Sequence, residues 1–155
     1  MEYLIVVEHC FLDQPSGSAR VAWDFAQLMR DRGAFVSLIC YCARDARNVG
    51  PETVDGINVV RYLKEERPAW HPGRFAEIVD STERACRRWL AGRHFDCVHV
   101  HSPLQGLGVI RALGPGPMYL ATVHSPLFLE QEVQWRHQGF LGHVKIAAGR
   151  GLDIG

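Results

Sequence analysis

The sequence predicts an α/β fold, a doubly wound and mainly parallel sheet with helices on both faces. Three observations carry this expectation. Short apolar runs recur along the chain, stretches with helical periodicity separate them, and turn residues punctuate the joins. The runs are continuous rather than alternating, as suits strands covered on both sides.

Leu4–Val7 is an apolar run bounded by charged residues and predicts the first strand. Cys10–Ser18 contains Pro15-Ser16-Gly17-Ser18, turn chemistry that also supplies a helix cap. Val21, Ala22, Phe25, Leu28 and Met29 then recur on one helical face; Arg30 and Arg32 suit the helix end, and Gly33 closes it. Phe35–Tyr41 is the second predicted strand and completes a βαβ unit. Asp55-Gly56 is a turn leading into a third, Ile57–Tyr62. Lys64–Gly73, with Pro68, Pro72 and mixed charge, reads as a loop. Phe75, Ile78, Val79, Thr82, Cys86, Trp89 and Leu90 mark the buried face of the next helix, which ends at Gly92. Cys97–His101 is a fourth strand, Gln105–Leu113 a short helix after Pro103, and Met118–His124 a fifth strand beyond Gly114-Pro115-Gly116-Pro117. From Arg136 onward glycine recurs at 139, 142, 149, 151 and 155, with no further strand or helix predicted. The expected division is a Rossmann-like domain over 1–135 and a Gly-rich tail over 136–155, flexible or the start of a further segment.

Composition narrows the function. At 155 residues and 47% hydrophobic, the chain has enough apolar surface for one folded domain, which excludes disorder as its main state. Seventeen basic residues balance seventeen acidic ones, so the charge surplus of a nucleic-acid binder is missing. No apolar run approaches the roughly 18 residues of a membrane span, and Met1–Glu8 reads as a strand rather than a signal peptide. The five cysteines lack zinc-site spacing, with Cys40-x-Cys42 too tight, and are read as structural thiols in a reducing cytoplasm.

In an open parallel sheet, ligands bind beyond the carboxyl ends of the strands, where strand order reverses. Three features fall there: the Ser16-Gly17-Ser18 loop, His101-Ser102-Pro103 and His124-Ser125-Pro126. His9 joins them at the end of the first strand. The Gly17 loop opens onto a helix N-terminus, whose amides and dipole favour an anion, and glycine lets a phosphate approach without a Cβ. A plain Ser cap with a turn glycine is the alternative. The loop is neither a Walker A motif nor a G-x-G-x-x-G fingerprint. The paired His-Ser-Pro endings place an imidazole and a hydroxyl at two strand rims, where they either line a site or cap loops. His99 is assigned to the face opposite His101 and read as core packing, and the same assignment argues against a metal set of His9, His99, His101 and His124. Asp13 is either a ligand-orienting carboxylate or a turn former, Arg20 a phosphate contact or a surface residue, and Trp23 and Trp70 are pocket-border or packing residues.

Leu4–Val7, then Pro15-Ser16-Gly17-Ser18-Ala19-Arg20-Val21, then a helix ending Arg30-Asp31-Arg32-Gly33-Ala34-Phe35-Val36, resemble the opening of family 4 glycosyltransferases. Val54-Asp55-Gly56-Ile57-Asn58-Val59, Phe95-Asp96-Cys97-Val98-His99-Val100-His101-Ser102 and Ala121-Thr122-Val123-His124-Ser125 are similar to its later strands. The likeness runs in order from about residue 3 to 126. It implies the N-terminal, acceptor-side half of a GT-B architecture, in which two Rossmann-like domains face a cleft. It also implies retaining transfer of a sugar from a nucleotide-diphosphate donor, with no cofactor and no metal. Ser16 and Gly17 stand where the family usually has Gly-Gly against the donor diphosphate, so the first glycine is replaced. His124 matches a histidine near the donor sugar and takes the catalytic assignment; His101 matches a cleft-lining position, and His9, Asp13, Trp70, Ser102 and Ser125 complete the acceptor rim.

The partners so implied are a nucleotide-sugar donor and a sugar, lipid-linked or small-molecule acceptor. Peripheral association with the inner membrane face is expected only of the full-length enzyme, and nucleic acid is not a partner. The family's second domain carries two glutamates eight residues apart, a spacing found nowhere in this sequence. A truncated acceptor-side domain, inactive alone, is therefore expected. A stand-alone phosphate- or sugar-binding module, a His-based metal-dependent hydrolase and an assembly domain are the rival readings.

Overall fold

The computed structural model describes residues 1–42, 49–65, 67–68, 71 and 73–124. The chain divides into two compact units, Met1–Thr122 and Val123–Gly155. The first contains a six-stranded sheet in the order β3-β4-β2-β1-β5-β6. Its elements are β1 (Glu2–His9), α1 (Gly17–Asp31), β2 (Phe35–Tyr41), β3 (Gly50–Val54), β4 (Ile57–Tyr62), α2 (Arg74–Trp89), β5 (Cys97–Val100), α3 (Pro103–Leu113) and β6 (Met118–Ala121). Every pairing is parallel except that of β3 with β4.

Two apolar layers sandwich the sheet. On one face Tyr3, Ile5 and Val7 of β1 pack with Val36, Leu38 and Cys40 of β2, Ile57 and Val59 of β4, and Ala22, Trp23 and Ala26 of α1. On the other, Leu4, Val6, Ile39, Val60 and Val98 meet Ala85, Cys86 and Leu90 from the α2 side and Val109 of α3. Strands buried on both faces have no polar face, so the continuous apolar runs follow directly. Each fully buried Leu, Ile or Val contributes about 1.5–3 kcal/mol. Trp23 belongs to this core, and all five cysteines are free and buried.

Local chemistry sets the element ends. Gly33 adopts φ +84 beyond α1, with its amide donating to the Arg30 carbonyl (2.8 Å) and that of Ala34 to Met29 (3.1 Å). This is a Schellman closure that needs a glycine. Asp55 and Gly56 both lie at positive φ, 48 and 75, and join β3 to β4 as a two-residue hairpin in register Val54↔Ile57. The sequence reading saw this turn but not β3, because Gly50-Pro51 and alternate polar residues disguise a strand at the sheet edge, where proline is tolerated. β1 is longer than its apolar core, while β5 and β6 stop at Val100 and Ala121, short of the histidines that were expected to end them.

Glycine also lets α3 approach α2. A Cβ on Gly108 would stand 2.5 Å from the Val79 carbonyl oxygen and 2.8 Å from Thr82 Cβ. Gly108→Ala is therefore expected to destabilise the domain by about 1–3 kcal/mol through overpacking, whereas Gly116→Ala, with open space at its Cβ among the described residues, is expected to change stability by less than about 0.5 kcal/mol. Urea titration of both variants measures the difference.

Candidate functional site

Strand order reverses beside β1, which runs between β2 and β5. The connections after β1 and β5 leave the sheet in opposite directions and open a crevice at their carboxyl ends. The N-terminus of α1 borders it on one side and that of α3 on the other.

At α1, Ser16 is the N-cap in extended conformation (φ −149, ψ 165), and its Oγ accepts a 3.2 Å hydrogen bond from the Ala19 amide. Gly17 is the first helical residue. Outside its own helix and chain neighbours, no described heavy atom lies within 4 Å of where its Cβ would stand. Gly17 therefore faces open space at the positive end of a 15-residue helix. The serine caps the helix, and the glycine leaves room beside it among the described residues.

At α3, Ser102 occupies the N-cap with Pro103 at the first turn. Its hydroxyl donates to the side-chain oxygen of buried Gln105 and makes no capping bond to the helix backbone among the described residues. His101, 6% exposed, continues the ladder past β5 with its amide donating to the Val6 carbonyl (2.8 Å).

The assignment of His99 and His101 to opposite faces is overturned. Their rings lie 4.3 Å apart between centroids, because residues two apart in a strand share a face. His99 packs edge-on against Phe25 of α1 (4.9 Å between centroids) and pairs with Thr122 Oγ1 at 2.7 Å. It is a core histidine, as expected, and it carries His101 toward the rim on the α1 side. With the face argument gone, the metal reading is judged by geometry alone: among the described residues no group of three or more His, Cys, Asp or Glu side chains is placed to hold a metal ion.

Asp13 does not simply cap a turn. Arg61 of β4 donates to it through two nitrogens, Nε to Oδ2 at 2.6 Å and Nη2 to Oδ1 at 3.1 Å, while its Nη1 donates to Glu52 Oε2 at 2.6 Å. Arg61 is only 4% exposed. Burial works to lower its pKa, but the hydrogen bonds and charge of Asp13 outweigh this and hold it raised. The sequence reading passed over Arg61, although an arginine on the same strand face as Ile57 and Val59 is a buried charge by its spacing. Beneath this loop, the Cys10 thiol is lowered to about 7, chiefly by a hydrogen bond from Cys40 that outweighs burial.

A family model described as a glycosyl transferase 4-like domain matches residues 16–150. The chain belongs to that family. In structure it is similar to sucrose-phosphate synthase from Thermosynechococcus elongatus, with a TM-score of 0.62 and 14% identity over 80% of this chain. It spans 33% of that protein's length, and the likeness is one of fold. Among curated proteins, none matches the sequence.

The remaining candidates of this glycosyl transferase 4-like domain divide by position. His9 ends β1, with its ring 4.9 Å from that of Tyr41, over which Lys64 Nζ stands at 4.1 Å. His124 is exposed and belongs to the second unit. Trp70, Ser125 and the 136–155 tail lie outside the described residues. Among the described residues no helix is long and apolar enough to cross a membrane.

Burial is the largest influence on His9 and lowers its pKa below 6.5; Glu8 opposes this, Lys64 adds to it and Asp13 opposes it. The folded state thus binds this proton more weakly than the unfolded chain, and stability falls as pH drops below about 6.5. His9→Gln is expected to lose less thermal stability than the wild type between about pH 7.5 and 5.5. Equal losses in the two melting curves would refute this.

Proposed function

We propose that this domain is the acceptor-side half of a retaining glycosyltransferase that uses a nucleotide-diphosphate sugar. The observation that carries the reading is the open N-terminus of α1 at Gly17, beside the strand-order reversal of a glycosyl transferase 4-like domain. In sugar transfer, departure of the leaving group puts negative charge on the diphosphate. Backbone amides fixed at a helix N-terminus stabilise that charge without reorganising. Ser16 supplies the cap that holds the first turn, and Gly17 supplies the approach.

His124 would hold a hydroxyl of the transferring sugar. His9, Trp70, His101, Ser102 and Ser125 would orient a sugar, lipid-linked or small-molecule acceptor, a role worth its energy in lost rotational freedom. A second domain would bind the nucleotide, so this domain alone would not transfer sugar. No cofactor enters the scheme. We place the reaction in the cytoplasm, with the enzyme peripheral to the inner membrane face when its acceptor is lipid-linked.

Gly17→Ala separates function from folding. A methyl group there meets open space, so stability is expected to stay within about 1 kcal/mol of wild type. Transfer by the intact natural enzyme, read with a panel of nucleoside-diphosphate sugars, is expected to fall about 10- to 100-fold. Ser16→Ala is expected to cost about 1 kcal/mol in stability through the lost cap. Wild-type rates in both Gly17→Ala and His124→Ala would sink the proposal. Nucleotide-sugar binding with no transfer by the intact enzyme would favour a binding module instead.

A further inference from the structure

A buried arginine in a parallel sheet needs a reason, because removing a guanidinium from water is costly unless its donors are satisfied. Arg61 lies near the carboxyl end of β4, opposite Cys40 of β2 and Gly50 of β3 in register. Its side chain ties two segments that no sheet pairing joins: the connection after β1, through Asp13, and the edge strand β3, through Glu52. The connection between Cys10 and Ser16 is anchored at its start, where Cys10 is in the core, Phe11 packs against it and the Arg20 guanidinium stands 5.1 Å over the Phe11 ring. Its backbone bonds are a turn, with the amides of Asp13 (3.0 Å) and Gln14 (2.9 Å) donating to the Cys10 carbonyl.

Asp13 precedes Gly17 by four residues, so even fully extended chain keeps them within about 14 Å. That upper bound exceeds the Debye length of about 8 Å in physiological salt and lies well inside the roughly 30 Å of dilute buffer. An unpaired carboxylate at this distance would repel a polyanion arriving at the α1 amides. Arg61, which Asp13 shares with Glu52, offsets one of these two carboxylate charges, and its two bonds to Asp13 tie that loop to β4.

We propose that Arg61 is a positioning residue for anion binding at the α1 N-terminus: by pairing with Asp13 it cancels a repelling charge and fixes the loop that presents Ser16 and Gly17. The inference rests on the diphosphate reading above and adds a residue that touches no substrate. Its signature is electrostatic. If Arg61 acts by silencing Asp13, removing Asp13 as well should restore what removing Arg61 takes away.

The test uses inorganic pyrophosphate, titrated calorimetrically into the full chain in dilute buffer. Arg61→Gln is expected to bind it at least about tenfold more weakly than wild type, an effect that shrinks in high salt. The double variant Asp13→Asn/Arg61→Gln is expected to recover most of the affinity while its melting temperature stays lowered. Arg61→Lys, which keeps the charge but not the fork, is expected to remain within about threefold of wild type and serves if Arg61→Gln does not fold. A double variant as weak as Arg61→Gln would overturn the charge-cancelling half of the proposal, and wild-type affinity in Arg61→Gln would overturn the whole. If the wild type binds no pyrophosphate, the diphosphate reading fails. The loop-holding role is then read from amide hydrogen exchange over residues 10–17: faster exchange in Arg61→Gln but not in Glu52→Gln supports it, and unchanged exchange overturns it.

Discussion

Burial of β1 on both faces is the constraint on which the rest of the structure depends. Tyr3, Ile5 and Val7 enter one apolar layer and Leu4 and Val6 the other, so the strand has no solvent side, and it sits between β2 and β5 inside the sheet. A central first strand forces the next strands outward. The chain builds β2, β4 and β3 on one flank and β5 and β6 on the other. The reversal of direction, and with it the crevice between the α1 and α3 N-termini, follows from that one placement.

The two rims of the crevice are built differently. On the α1 side, Ser16 spends its oxygen on a capping bond, and Gly17 has no described heavy atom near its Cβ position outside its own helix and chain neighbours. On the α3 side, Ser102 turns to Gln105, whereas the buried pair His99 and His101 packs on the α1 face, against Phe25. Close approach of α3 to α2 through Gly108 fixes where that second rim stands. The domain shares its fold with sucrose-phosphate synthase at low identity because this layered arrangement constrains hydrophobic pattern more than particular residues.

Much of this was legible because the signals are local. Apolar runs, Gly33 after α1 and the Asp55-Gly56 turn each report on a few neighbouring residues. β3 escaped because an edge strand needs neither apolar continuity nor the exclusion of proline, so Gly50-Pro51 looked like a loop. The histidines were misassigned by a slip in strand period, since positions two apart share a face. Arg61 was passed over for a different reason. Its spacing announced a buried charge, but its partners Asp13 and Glu52 lie 48 and 9 residues away and come together only when β4 is flanked by the β1 connection and by β3.

The sequence by itself determined the alternation of strands and helices, the capping serine and the glycine that opens α1, and the likeness to a glycosyltransferase family. These depend on period, turn chemistry and local motif, which neighbours in the chain carry. Only the tertiary structure decided which charges pair, which histidines meet and which glycine has room at its Cβ among the described residues. Those depend on what lies across the sheet from a residue, and strand order, not strand content, places it there.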